Sequence, residues 1–224
     1  MKEIFVFLRY YPLYLGVFIV LVPIGIMTYK WKRLDASFRL LFLYLVCRFL
    51  ADMVMLYYAA TGRNNLWLHN LMVPLRYLLL SGVFYYFLES PKIRYWIRIS
   101  IPFFLIFATG DIYFSNHTAG RTDEYLYVRY SGVVECLLML LWILLYFYEI
   151  FRLLKLKSAR FLVAVAWLLY YASLVFLAPL FYYIYRSQGL IIQLGVLENI
   201  PDFMEILAVL ITTVAVSLPS VRYD

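Results

Sequence analysis

The chain has 224 residues, of which 66% are hydrophobic, with a formal net charge of +7 and a mean hydropathy of +0.83. A soluble fold averages about 45–50% apolar residues. One of this size could not hide the excess, so lipid must cover it. The basic residues flank apolar spans instead of forming a run, which excludes a nucleic-acid-binding pattern. Cys47 and Cys136 both fall inside apolar spans, which excludes a disulfide framework.

Reading for stretches of about 20 apolar residues between charged or turn-rich breaks predicts seven spans. The first, 10–29, follows a lead-in that carries Arg9 and shows no small-residue cleavage site. It reads as a retained helix and not a signal peptide. After "KWKRLDAS" comes the second, 37–59, with Arg48 and Asp52 at i, i+4. After "ATGRNN" comes the third, 66–88, with His69 and Asn70 at its start and Arg76 deeper in. The fourth, 97–115, follows "ESPKIRYWIR" and carries Asp111. The fifth, 126–150, follows "SNHTAGRTDE" and carries Glu135. The sixth, 161–184, follows "RLLKLKSAR". The seventh, 196–218, follows "YRSQG" and opens with Glu198, Asn199, Asp202 and Glu205. Its three acids, at i, i+4 and i+7, share one helical face. Spans this long, without polar alternation, are helices and not barrel strands. The fold class predicted is therefore an all-α polytopic membrane protein, residues 1–224 forming a single seven-helix transmembrane domain.

Seven crossings put the two ends on opposite sides. The loops at 30–33, 92–98 and 152–160, with Arg222, hold most of the Lys and Arg. The opposite set holds only Lys2, Arg9, Arg63, Arg121 and Arg186. The positive-inside rule places the N-terminus outside and the C-terminus in the cytoplasm. Aromatic pairs such as Tyr57-Tyr58, Tyr85-Tyr86 and Tyr95-Trp96 mark the interfaces.

Counting helical rise from the cytoplasmic ends puts Arg48 about 15 Å deep, Arg76 about 18 Å, Asp111 and Glu205 about 20 Å, Asp52 about 21 Å, Glu135 about 23 Å and Asp202 about 24 Å. Glu198, at about 30 Å, reaches the outer interface, near Arg129, His69 and Asn70. These charges fall in one slab of the outer half. Each would cost about 2.5–3.5 kcal/mol facing lipid, so they are expected to face inward and pair. Arg48 and Asp52 can pair locally. Arg76 needs an acid from another helix, and Glu205 is the first choice. Two arginines against five carboxylates leave a formal −3. That excess implies protonated carboxylates, a bound cation or a water-filled cavity open to the outside. A competing reading starts the seventh helix at Pro201, which makes Asp202 and Glu205 first-turn acids complementing the helix dipole.

"LHNLMVPLRYLL" from Leu68 and "LENIPDFMEILA" from Leu197 echo each other at a constant offset, matching Asn70 with Asn199 and Arg76 with Glu205. A 3+1+3 parallel repeat would follow, with the fourth span as the inverting link. That plan, the size and the outside N-terminus are similar to the sugar transporters called SWEETs, and to vitamin transporters of the nicotinamide-riboside type. The resemblance implies a transporter built from parallel repeats. The SWEET Pro-Gln signature is absent, since neither Gln188 nor Gln193 follows a proline. Retinal is excluded as a cofactor, because no lysine lies in the seventh span. An intramembrane metal-dependent hydrolase would have to build its site from His69 and His117 with a carboxylate, and no HExxH spacing supports one.

The function expected from these features is that of a small receptor or sensor, not an enzyme. Its pocket, open to the periplasm or exterior, is predicted from Arg48, Asp52, Arg76, Asp111, Glu135, Asp202 and Glu205, with His69, Asn70, Glu198 and Asn199 toward its mouth. A small ligand, proton or cation would repack the ion pairs and move the cytoplasmic helix ends toward a signalling partner. The alternative is a proton- or cation-coupled transporter built on the same charges. A bacterial inner membrane is the expected location.

Overall fold

The computed structural model describes residues 14–117, 130–153, 158–186 and 200–218. Among them there is no strand. The helices are α1 (Leu21–Tyr29), α2 (Ala36–Ala60), α3 (Leu66–Phe87), α4 (Pro91–His117), α5 (Tyr130–Leu153), α6 (Ser158–Arg186) and α7 (Ile200–Ser217). Helical residues 14–19 precede α1.

Five of these helices are long and apolar enough to cross a membrane, namely α2, α4, α5, α6 and α7. Their length and composition are those of a helical membrane protein. Its side chains agree with that setting, since Leu50, Phe103, Ile106, Phe176 and Val214 are all exposed. Apolar groups displayed in such number need lipid and not water. Two expected spans stand apart from the five. The apolar run Tyr14–Tyr29 is short. α3 has 22 residues, enough for about 33 Å of rise, but His69, Asn70, Pro74 and Arg76 lower its hydropathy.

By packing, the chain divides into two compact units, one holding α2 to α5 and the other α1, α6 and α7. In the four-helix unit, α3 packs against α2, α4 and α5. Its buried residues therefore run around most of its circumference, from Leu68, Asn70 and Val73 through Tyr77, Leu79 and Leu80 to Val83, Phe84 and Phe87. α5 instead buries a stripe of helical spacing, Ser131, Glu135, Met139, Trp142, Tyr146 and Ile150. Asp35 caps α2 by accepting from the Phe38 amide at 2.9 Å. A Cβ added to Gly82 would lie 2.9 Å from Leu40 Cδ1, so the glycine lets α2 lie close against α3.

In the other unit α6 and α7 share the most extensive contact. Small buried residues suit a close approach, Ala159, Ala164 and Ala166 on α6 with Ala208 and Ala215 on α7. Lys30, just after α1, donates to the carbonyls of Val216 at 2.8 Å and Ser217 at 2.9 Å. A lysine thus satisfies carbonyls that the end of α7 leaves open and meets the negative pole of its dipole.

Candidate functional site

α3 delivers Arg76 to the middle of the four-helix unit, and α5 delivers Glu135 from its buried stripe. Arg76 Nε donates to Glu135 Oε1. Its Nη2 donates to Glu135 Oε2 at 2.6 Å. Two nitrogens engage two oxygens, the bidentate geometry that makes an arginine–carboxylate pair strong. The Glu135 side chain is 0% exposed and that of Arg76 only 16%. The sequence points Arg76 first to Glu205. Within its own unit the guanidinium meets Glu135, because α3 and α5 are packed neighbours there.

Polar groups extend from this pair toward the start of α3. His69, seven residues earlier on the same face, lies within electrostatic reach of Arg76. Asn70 is buried. On the same side, Asp111 Oδ2 accepts the Ser131 amide at 2.7 Å. The carboxylate of α4 so serves an open amide in the first turn of α5. Ser131 and Glu135 are i, i+4, which puts that contact about 6 Å along the axis from the ion pair. Ser131 Oγ is buried and has no hydrogen-bond partner among the described residues.

Toward the opposite end the character changes. Trp142 Nε1 donates to Tyr77 Oη at 3.2 Å, and Tyr77 Oη lies 2.7 Å from Ser100 Oγ. Ser100 in turn donates to the Ile97 carbonyl at 2.8 Å. The indole can only donate, and the serine proton is already used, so the phenol donates to Ser100. Phe104 packs on Tyr77 at 4.2 Å between ring centroids. Further along lie Phe84, Phe87 and Tyr146 in mutual ring contact, with Phe38 on Phe87. An aromatic layer therefore follows the ion pair on this side.

Arg48 and Asp52 pair on α2, Nε to Oδ2 at 3.2 Å, with side chains 14% and 15% exposed. They share a helix whose inward stripe is Phe38, Leu41, Leu45 and Ala51. In the second unit, Asp202 stands in the first turn of α7. Asp202 and Glu205 are half-buried on the stripe that continues through Val209, Thr212 and Val216. Glu198 and Asn199 lie outside the described residues, as does Arg129. Among the described residues no three His, Cys, Asp or Glu side chains converge as metal ligands.

Cys136 is a neighbour of the site that apolar patterning does not mark. It is buried, next in sequence to Glu135, and within electrostatic reach of both members of the pair. The Tyr77–Ser100–Trp142 chain also escapes sequence reasoning. Its signals are faint: Tyr77 adjoins Arg76, and Trp142 stands at i+7 from Glu135 on the same face. No protein-family model, curated protein or solved structure matches this chain.

Proposed function

We propose that the chain is a small membrane receptor whose Arg76–Glu135 centre senses a small ligand, a proton or a cation. The response then passes to a separate partner at the cytoplasmic helix ends. The observation that carries this reading is a buried, bidentate ion pair with polar groups on one side and an aromatic layer on the other. Burying two charges is costly, and well-packed apolar residues commonly stabilise as much, so a structural need alone accounts poorly for the pair. Asp111, Ser131, Asn70 and His69 continue the polar surface toward the end that the positive-inside rule assigns to the exterior. In the other direction Phe84, Phe87 and Tyr146 interrupt a polar path. A one-sided polar centre is sufficient for sensing, whereas transport needs access from both sides. The proposed setting is a bacterial cytoplasmic membrane, with Arg48 and Asp52 as a second charged element of the same response.

The test uses protein reconstituted in liposomes holding a pH-sensitive dye, with imposed pH and sodium gradients. No flux above empty vesicles is expected. Hydrogen exchange in α3 and α5 should respond to pH or sodium in the wild type and lose that response in Glu135→Gln. A proton flux that Glu135→Gln abolishes would overturn the receptor in favour of a coupled transporter. Exchange indifferent to both conditions and to the substitution would reduce the pair to a packing lock.

A further inference from the structure

The turn between α3 and α4 gathers cations that the ion-paired centre does not use. Arg94 and Arg98 stand one turn apart on α4, and both lie over the same ring. Their guanidinium carbons are 5.7 Å and 5.6 Å from the centroid of Tyr85. Arg98 Nη2 also donates to Tyr85 Oη at 2.7 Å, and Arg94 Nε donates to the Leu88 carbonyl at 2.6 Å. Lys92 is exposed in the first turn of the same helix. None of the three cations has a carboxylate within ion-pair distance among the described residues. Two like charges drawn onto one tyrosine repel each other, and an anion placed between them would relieve that repulsion. Arginine nitrogens not used in these contacts remain to bind it, and the planar fork suits a phosphate.

The surroundings indicate which phosphate. Trp96 is 61% exposed and Tyr95 58%, and with Pro91 and Lys92 they line a shallow, largely apolar depression. An aromatic floor beside clustered cations, at the first turns of a helix long and apolar enough to span, belongs at the level of lipid headgroups. A soluble anion would have no use for the apolar wall, whereas a phospholipid places its glycerol and upper acyl carbons against it. We propose that Arg94, Arg98 and Lys92, gathered around Tyr85 at the α3–α4 turn, bind the phosphate of an anionic phospholipid. Tyr85 positions the two guanidiniums, and Tyr95 with Trp96 receives the lipid's apolar shoulder. This site is independent of the receptor reading.

The full chain in nanodiscs of phosphatidylcholine doped with phosphatidylglycerol tests it, with lipid retained on detergent extraction counted by native mass spectrometry. A juxtamembrane basic residue strengthens anionic-lipid binding by about fivefold, so Arg94→Gln with Arg98→Gln should weaken phosphatidylglycerol retention by about 25-fold. Tyr85→Phe keeps the ring and loses the hydroxyl, so its retention should fall between wild type and the double variant. The 88–98 backbone should exchange more slowly in phosphatidylglycerol than in phosphatidylcholine alone, and only in the wild type. Equal retention of both lipids, or retention that the double substitution leaves unchanged, would overturn the proposal. So would protection of 88–98 by millimolar inorganic phosphate in phosphatidylcholine discs, since that marks a site for the free anion. Unchanged helical circular dichroism in the variants is required for the comparison. Should the double variant misfold, single Arg98→Lys carries the test, because it keeps the charge and removes the fork. A smaller loss of retention is then expected, and an unchanged wild-type preference would overturn the site.

Discussion

Glu135 is wholly buried, and its carboxylate is matched to a guanidinium on the neighbouring helix. Removing one partner takes a bidentate match from the other buried charge, so Glu135→Ala should destabilise by about 3–5 kcal/mol. Replacing both by apolar residues of similar volume removes the desolvation cost together with the attraction. Arg76→Met combined with Glu135→Leu should therefore recover wild-type stability or exceed it by about 1–4 kcal/mol, while the pH or sodium response is lost. Thermal unfolding in a fixed detergent, followed beside hydrogen exchange in α3, checks both halves. A double variant as unstable as the single one would mean that the pair's geometry, not its charge balance, holds the unit together. The residues themselves are legible in the sequence, because an arginine or carboxylate stands out against an apolar background. The match of Arg76 with Glu135 is not. Several acids fall near the depth of Arg76, and knowing that Glu135 meets it needs to know which helices touch, a long-range fact that local composition does not encode.

α2 runs from Ala36 to Ala60, within a residue of the apolar stretch predicted for it at each end, because Asp35 stops the pattern and caps the helix at once. α4 begins at Pro91 and not near residue 97, because hydropathy marks where lipid begins and not where helical hydrogen bonding begins. Lys92, Arg94 and Arg98 read as a loop in the sequence and are the first turns of a helix. Between elements, the informative contact is the one from Asp111 to the Ser131 amide, where a side chain of α4 completes the start of α5. Asp111→Ala should cost about 1–2 kcal/mol and speed exchange at the first amides of α5, and Asp111→Asn, which keeps an acceptor, should cost less. Hydrogen exchange resolved to 130–134 measures it. If Asp111→Ala leaves those amides protected but abolishes the sodium or pH response, the carboxylate belongs to the sensing surface and not to the helix start.

At the scale of the whole molecule the crossing of α3 decides the topology. Five other helices qualify as spans by length and hydropathy, and α3, centre of the four-helix unit, does not. Its polar residues are the reason, and they are buried or half-buried, so they burden a hydropathy window without facing lipid. A helix surrounded on three sides by others needs little apolar surface of its own to cross a bilayer. Crossing also fixes parity, since without α3 every later helix would reverse direction and the basic turn at 91–98 would lie on the same side as 61–65. Two exposed positions bracket it, Asn64 before α3 and Lys92 after it. In a background of Cys47→Ser and Cys136→Ser, Asn64→Cys should react with a membrane-impermeant maleimide added to intact cells. Lys92→Cys should react only after the membrane is opened. The expected contrast is nearly complete labelling against almost none. Labelling of both from the same side would show that α3 does not cross. It would also remove the positive-inside argument for the exterior face of the Arg76–Glu135 centre, because that face is assigned from the charge of the very turn that a crossing α3 would carry to the other side.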